Sequence, residues 1–176
     1  WSIQSSNETF VPSIVDYFQP GYGYGGSCFP KDVKALLEYS KGLDSKSLVL
    51  DSVIKSNDLQ PLFVEQVLKE NIDLKDKKKI LILGTSFKPE TDDIRESSSI
   101  KIVEICSKLN LEIYIHDPLS QEKFIDLFKT NLIGVKDWKN EISIMDIVLI
   151  STSWPEYKFI EDLYKDGLLD QKVIID

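Results

Sequence analysis

Residues 79–83, Lys-Ile-Leu-Ile-Leu, form an apolar run of strand length that ends at Gly84. A run this short, bounded by a glycine, is typical of a strand buried on both faces of a parallel sheet. After it, helix-like and strand-like patterns alternate, with helices predicted over 97–109, 120–130 and 157–164 and strands over 111–116, 132–135, 146–151 and 172–175. The alternation predicts an α/β fold built on a doubly wound parallel sheet with right-handed crossovers.

Upstream of this pattern the chain is helical. A helix is predicted over 31–41, where Gly42 is a suitable end, and an apolar stripe over 45–71 predicts a long helix that Pro61 kinks. The polar segment 71–79 indicates a boundary. We therefore expect a helical segment over residues 1–74, followed by a Rossmann-like sheet domain over residues 75–176.

A glycine-rich loop, residues 21–27, leads directly into the first helix and places Cys28 at the helix start. Glycines permit tight turns and close approach of a ligand. Because Pro30 suits a first helical turn, the helix dipole and the ammonium of Lys31 would favour a thiolate at Cys28. Asp32 adds a carboxylate that can handle a proton or orient a water. Together these residues predict a covalent active site, although each alone also fits an ordinary loop, thiol or helix cap.

The loop after the first sheet strand, residues 84–97, lies where an open α/β sheet binds its ligand. It has one glycine and lacks the Gly-x-Gly-x-x-Gly dinucleotide fingerprint, so any nucleotide there must be held by other residues. Asp117 stands where a ribose-binding acid would be, but without the glycines it is better explained as a turn residue before Pro118. Arg95 suits a phosphate, yet the carboxylates beside it also make it a candidate salt-bridge partner.

Residues 20–32, Pro-Gly-Tyr-Gly-Tyr-Gly-Gly-Ser-Cys-Phe-Pro-Lys-Asp, resemble the active-site segment of the UDP-glucose dehydrogenase and GDP-mannose dehydrogenase family. Residues 84–97 are similar to the loop of that family's nucleotide-sugar domain. The resemblance implies a central-domain segment followed by a C-terminal UDP-binding domain, with an N-terminal NAD-binding domain outside this sequence. Since the chain opens on Trp1 and its single methionine is Met145, we expect it to be a fragment of a longer protein.

The resemblance also implies roles for individual residues. Cys28 would be the nucleophile of an NAD-dependent four-electron oxidation, forming a thiohemiacetal and then a thioester, with Asp32 positioning or deprotonating the water and Lys31 supporting the site's electrostatics. Arg95 would reach the pyrophosphate of NAD. The nucleotide-sugar substrate would be held by Tyr17, Gly21, Gly25, Phe87 and Lys88.

Composition limits the alternatives. A net charge of −8 argues against a nucleic-acid or anionic-membrane surface, and no apolar run reaches the length of a membrane span. Two cysteines in unlike contexts favour reduced thiols and a cytoplasmic location, with Cys106 predicted to be a core residue. No metal site is predicted.

The sequence also leads to expectations about the substrate and the oligomeric state. The motif favours UDP-glucose, while GDP-mannose and UDP-N-acetylhexosamine remain alternatives. The long helix predicts a homodimer, as in the family, although a face buried within the domain gives the same periodicity. Two other functional classes are alternatives. One is a non-catalytic module for nucleotide-sugar binding or dimerisation, which would not need Cys28. The other is a cysteine hydrolase, which would need a histidine base, and the only histidine in the sequence, His116, is in the other domain.

Overall fold

A computed structural model of the chain describes residues 3–5, 8–10, 21–43, 46–128 and 132–176. A short antiparallel hairpin comes first, with β1 (Ile3–Ser5) paired to β2 (Glu8–Phe10). Three helices follow: α1 (Phe29–Gly42), α2 (Leu48–Leu59) and α3 (Leu62–Asn71).

The remainder is an α/β domain with a five-stranded parallel sheet in the order β5-β4-β3-β6-β7. Its elements are β3 (Lys79–Leu83), α4 (Ser98–Lys108), β4 (Glu112–His116), α5 (Gln121–Leu127), β5 (Leu132–Gly134), α6 (Trp138–Glu141), β6 (Ile147–Ile150), α7 (Phe159–Lys165) and β7 (Val173–Ile175). Strands β4 and β5 lie on one side of β3, and the chain then crosses to the other side to form β6 and β7. This reversal of strand order is the switch point of a doubly wound sheet. The predicted fold class is confirmed, and the predicted strands agree with the observed ones to within one or two residues.

The central strand β3 is buried on both faces, which explains its continuous apolar run. Ile80 and Ile82 pack into one core together with α4, whereas Leu81 and Leu83 pack into a second core on the opposite face. Successive side chains of a strand point to opposite faces, so one short segment supplies both layers. The carboxyl end of β3 is thereby fixed, and the loop after it emerges at a defined place.

The predicted kinked helix over 45–71 is instead two separate helices, α2 and α3, broken at Gln60–Pro61. Pro61 has no amide proton to continue the helical hydrogen bonds, and it begins the next helix. Val64 and Leu68 of α3 are fully buried in the same core as Ile80 and Ile82. The helix α3 is therefore packed as part of the sheet domain.

Two features near the sheet were not predicted. The short helix α6 begins at Asp137, whose carboxylate accepts a hydrogen bond from the amide of Asn140, and it buries Trp138. A 3-10 turn over residues 155–158 precedes α7, where a single helix over 157–164 was expected. Across the described ranges, no helix is long and apolar enough to cross a membrane.

Candidate active site

The glycine loop is attached to its surroundings at three points. The ring of Tyr22 packs against the core that contains α3 and α4. The side chain of Asn57, on α2, accepts a hydrogen bond from the Tyr24 amide at 2.7 Å and donates one to the Tyr24 carbonyl at 3.1 Å. The Gly26 amide donates to the Arg95 carbonyl at 2.9 Å. A segment with four glycines thus has one defined path across the molecule.

Two glycines of this loop are in contact with the loop that follows β3. At Gly26, where φ is +86°, an added Cβ would lie 2.7 Å from Cε2 of Phe87. At Gly25, an added Cβ would overlap the Glu96 carbonyl and approach Cβ of Phe87 to 3.2 Å. Glycine is therefore required for the two loops to meet, and the structure brings the predicted residues Gly25 and Phe87 together.

Cys28 is exposed and occupies the N-cap position of α1. Its carbonyl accepts the first helical hydrogen bond, from the Asp32 amide at 2.9 Å, and its Sγ lies 3.7 Å from the hydroxyl oxygen of Ser27. Lys31 and Asp32 form an ion pair at 3.3 Å on the same turn, with both side chains largely in solvent. The thiol, the ammonium and the carboxylate are thus all exposed at the helix start.

Arg95 lies beside this helix start and forms a two-pronged salt bridge with Asp93, at 2.9 Å from Nε and 2.7 Å from a terminal nitrogen. The hydrogen bond from Arg95 holds the pKa of Asp93 down at about 2, and Asp93 in turn raises the pKa of Arg95. Arg95 thus forms the salt bridge that was one of its two predicted roles, and its guanidinium is exposed to solvent. Glu96 pairs with Lys34 of α1 at 3.2 Å, which adds an ionic contact between the two loops.

A cleft of about 770 Å³ lies between the glycine loop, α1 and the start of α4. Its walls combine two tyrosine rings with cations and small polar groups, a mixture that suits a charged ligand with flat rings. The lining includes Tyr22, Tyr24, Ser27, Lys31, Lys34 and Arg95.

The predicted substrate residues do not all lie at one place. Phe87 is half-buried against the glycine loop, whereas Lys88 is exposed with its ammonium 5.6 Å from the centre of the Phe87 ring. Within the described residues, Lys88 makes no salt bridge, so its charge is free for an anion. Gly21 lies in a separate groove against α2, and Tyr17 lies outside the described residues.

Asp117, at the carboxyl end of β4, is buried with its carboxylate turned into the protein. It accepts hydrogen bonds from the amides of Thr85, Leu119 and Ser120. Burial of the carboxyl opposes ionisation, but these amide donors outweigh it and hold the pKa of Asp117 below its usual range. The residue serves as a turn residue here, which agrees with the expectation for an acid that precedes a proline.

Sequence reasoning missed the role of Asn57, because an asparagine on a helix gives no signal that it binds a loop 33 residues earlier in the chain.

His116 is buried, and its Nδ1 lies 2.9 Å from the Tyr157 hydroxyl. Burial lowers the pKa of His116, against the opposing charges of Glu156, Asp117 and Asp137. This histidine is engaged in the sheet domain, which argues against a cysteine hydrolase. Among the described residues, no cluster of three or more His, Cys, Asp or Glu side chains could hold a metal ion.

A family model for the UDP-binding domain of the UDP-glucose/GDP-mannose dehydrogenase family matches residues 81–176, and one for the family's central domain matches residues 7–59. The chain belongs to this family. The two matches fall on the two loops that meet at Gly26. The family membership predicted from the motifs is thus confirmed.

Individual relatives agree with the assignment. The UDP-glucose 6-dehydrogenase AglM of Haloferax volcanii is 30% identical over 156 residues, which cover 89% of this chain and 35% of that protein. A GDP-mannose 6-dehydrogenase of Pseudomonas putida is 43% identical over 100 residues, covering 56% of this chain and 22% of that protein. The structure of a UDP-glucose dehydrogenase from Pyrobaculum islandicum superposes with a TM-score of 0.76 at 32% identity, covering 81% of this chain and 33% of that one. The match covers about a third of the length of the two UDP-glucose dehydrogenases.

The contact between Gly26 and Phe87 predicts a steric effect of mutation. Gly26→Ala should destabilise the chain by about 1–3 kcal/mol, because a methyl group at positive φ meets an aromatic ring with no free space. Urea unfolding followed by circular dichroism measures the change. Gly21→Ala is the matched control, since no atom lies within 4 Å of its added Cβ. Equal stability of the two variants would contradict the close contact.

The two thiols should differ in reactivity. Burial raises the pKa of Cys106 to about 12, so its thiolate is scarce, whereas Cys28 is exposed. Iodoacetamide should therefore modify one cysteine in the native chain and both after denaturation. Peptide mapping by mass spectrometry locates the label. Native modification at Cys106 ahead of Cys28 would show that the two thiols are placed differently in solution.

Proposed function

We propose that this chain is the catalytic-loop and UDP-binding part of an NAD-dependent nucleotide-sugar 6-dehydrogenase that oxidises UDP-glucose to UDP-glucuronate. The observation that carries the proposal is the exposed thiol of Cys28 on a loop bonded directly to the loop of Phe87 and Lys88. A nucleophile and a candidate nucleotide grip are thereby held in one unit. The whole reaction needs residues beyond this chain, so the chain alone should be inactive.

Cys28 is the covalent catalyst in this proposal. Its thiolate adds to the aldehyde carbon left by the first oxidation and forms a thiohemiacetal, which keeps the intermediate bound. Loss of a second hydride converts the thiohemiacetal to a thioester, and water then cleaves the carbon–sulfur bond to release the carboxylate and regenerate the thiol. Two NAD molecules, used in succession, would accept the two hydrides.

Asp32 and Lys31 act on the water and on the charges of these steps. The Asp32 carboxylate lies on the first turn of the helix that begins at Cys28, within reach of a water that attacks the thioester. The Lys31 ammonium, paired with Asp32 at 3.3 Å, supplies a positive charge on the first turn of the helix and would stabilise negative charge that develops beside the sulfur. Both groups are exposed, so closure of the site around a substrate would strengthen their effect.

The nucleotide end of the substrate would be held by the loop after β3. Phe87 packs its half-buried ring against Gly26, and the exposed ammonium of Lys88, which forms no salt bridge within the described residues, is offered to the diphosphate. Gly21 and Tyr17 would complete the sugar pocket. Arg95, with Lys31 and Lys34 in the same cleft, fits the pyrophosphate of NAD, provided that the guanidinium exchanges part of its bond to Asp93 for a phosphate.

The choice of sugar nucleotide has a specific competitor. The 43% identity to a GDP-mannose 6-dehydrogenase over 100 residues favours GDP-mannose as the second candidate, and UDP-N-acetylhexosamines come after it. A non-catalytic binding module is less well supported, because it would have no use for an exposed Cys28 beside Lys31 and Asp32. Two unpaired thiols fit a reducing compartment, so we propose a cytoplasmic location.

A homodimer is part of the proposal. No residue of α2 is buried, and Leu48 and Val49 are 72% and 76% exposed. The neighbouring α1 also exposes Leu36 and Tyr39. Apolar side chains on two adjacent helices form a surface that a second copy of the chain would cover.

The nucleophile is tested in the full-length dehydrogenase with a panel of UDP-glucose, GDP-mannose and UDP-N-acetylhexosamines, by following NADH formation. UDP-glucose should be the preferred substrate, and Cys28→Ser should abolish overall oxidation because a hydroxyl neither ionises readily nor leaves as a thiolate does. Cys106→Ala is the control and should keep its activity. Near-normal turnover by Cys28→Ser would remove Cys28 from the mechanism.

Asp32→Asn distinguishes the hydrolytic step from the redox steps. This variant should form NADH in a rapid initial burst and then slow, because the thioester accumulates without an activated water. Mass spectrometry of the quenched enzyme should show the sugar nucleotide attached to Cys28. An unchanged steady rate with no trapped acyl-enzyme would assign the water to another residue.

The dimer is tested by sedimentation of the chain. Val49→Glu should shift it to the monomer, because a carboxylate without a partner is costly to bury in an apolar interface. Leu168→Glu is the matched control, since Leu168 is a similarly exposed apolar residue that lies outside α1 and α2. A wild-type chain that remains monomeric at high concentration would rule out this interface.

A further inference from the structure

Asp117 connects three loops at the carboxyl edge of the sheet, and it is only 4% exposed. One carboxylate oxygen accepts from the amides of Thr85 and Ser86, at 2.7 and 3.2 Å, in the loop after β3. The other accepts from the amides of Leu119 and Ser120, at 2.9 and 2.7 Å, in the loop after β4. The indole Nε1 of Trp154, in the loop after β6, donates to the first oxygen at 3.2 Å.

All five of these partners are N–H groups, so the site requires an acceptor on both oxygens. An asparagine at this position would turn its amide N–H groups toward at least two of the N–H donors, whichever way it is flipped. Asp117→Asn, although nearly identical in shape, would therefore leave buried donors unpaired and push at least one loop away. A hydrogen-bond requirement this strict is more than a turn needs, because the amides of Leu119 and Ser120 alone would suffice for that.

The bonds of Asp117 lead directly to the proposed nucleotide grip. Thr85 and Ser86 immediately precede Phe87 and Lys88, and the Ser86 hydroxyl donates to the Lys88 carbonyl at 2.8 Å. The Ser86 carbonyl accepts from the hydroxyl of Thr152, in the loop after β6, at 2.6 Å. The backbone on the N-terminal side of Phe87 is thus fixed from both neighbouring loops, and the ammonium of Lys88 lies 5.6 Å from the centre of the Phe87 ring.

We propose that Asp117 is a positioning residue for nucleoside diphosphate binding, acting through Thr85 and Ser86 on Phe87 and Lys88. In many dinucleotide folds the acid at the end of the second strand binds the ligand's ribose. Here that acid binds the loop that binds the ligand. The inference rests on the proposed function, since it assumes that the loop after β3 holds a nucleoside diphosphate.

The test is titration calorimetry of UDP into the chain, with wild type, Asp117→Asn and Asp146→Asn. Asp146 is the matched control, because its carboxylate accepts from the Lys79 amide at 2.8 Å in the same sheet, but at the amino end of β3. Asp117→Asn should raise the Kd for UDP by on the order of 10-fold or more, whereas Asp146→Asn should leave it unchanged. A purely structural role would lower the binding stoichiometry through loss of folded protein and leave the Kd of the folded fraction unaltered.

Ser86→Ala provides a second variant if Asp117→Asn does not fold. It keeps the amide bond to Asp117 but removes the hydroxyl, which lies 2.8 Å from the Lys88 carbonyl and 3.4 Å from the Asp117 carboxylate. It should also raise the Kd for UDP, by a smaller factor. An unchanged Kd in either folded variant, or an equal rise in Asp146→Asn, would overturn the role of Asp117. Absence of UDP binding by the wild-type chain would overturn the proposed nucleotide site, and this role with it.

Discussion

One backbone hydrogen bond, from the Gly26 amide to the Arg95 carbonyl, joins the segment that carries the thiol to the segment that carries the nucleotide grip. The close approach requires glycine at both positions, because a side chain at Gly25 would meet the Glu96 backbone and one at Gly26 would meet the Phe87 ring. The glycines of this loop therefore serve contact within the protein at least as much as contact with a ligand. The proposed catalysis depends on this contact between the two loops, because it fixes the path of the loop that ends at Cys28 relative to Phe87.

The glycine loop and the loop after β3 are held in place by different contacts. The glycine loop is held from α2 by the paired hydrogen bonds of Asn57 and from the core by Tyr22, whereas the loop after β3 is held by the buried carboxylate of Asp117. Charged groups facing solvent add ionic contacts between the two segments, as in the pair of Lys34 and Glu96. Exposed pairs contribute little stability, so the positions of the two loops are set mainly by the buried and partly buried contacts.

Much of this arrangement could be predicted from sequence, because it depends on local patterns. The strand β3 was recognised from its apolar run, and the motifs around Cys28 and Phe87 identified the family. What could not be predicted depends on pairs distant in the chain. Asn57 and Tyr24 form a clamp that neither residue signals alone, and the stripe over 45–71 did not reveal that Val64 and Leu68 face the sheet while Leu48 and Val49 face outward. Periodicity shows that a helix has an apolar face, but not what covers it.

The packing of α3 determines where one part of the chain could rotate against the other. Composition places a boundary near residue 75, yet Val64 and Leu68 fill the core beneath the sheet, and the break at Pro61 comes before them. A swivel of the sheet domain against the thiol-bearing helix would therefore turn at Gln60–Pro61. Asn57 and Tyr24 both precede that point, so their paired hydrogen bonds could stay intact during such a motion. A swivel there would instead have to stretch the hydrogen bond from the Gly26 amide to the Arg95 carbonyl.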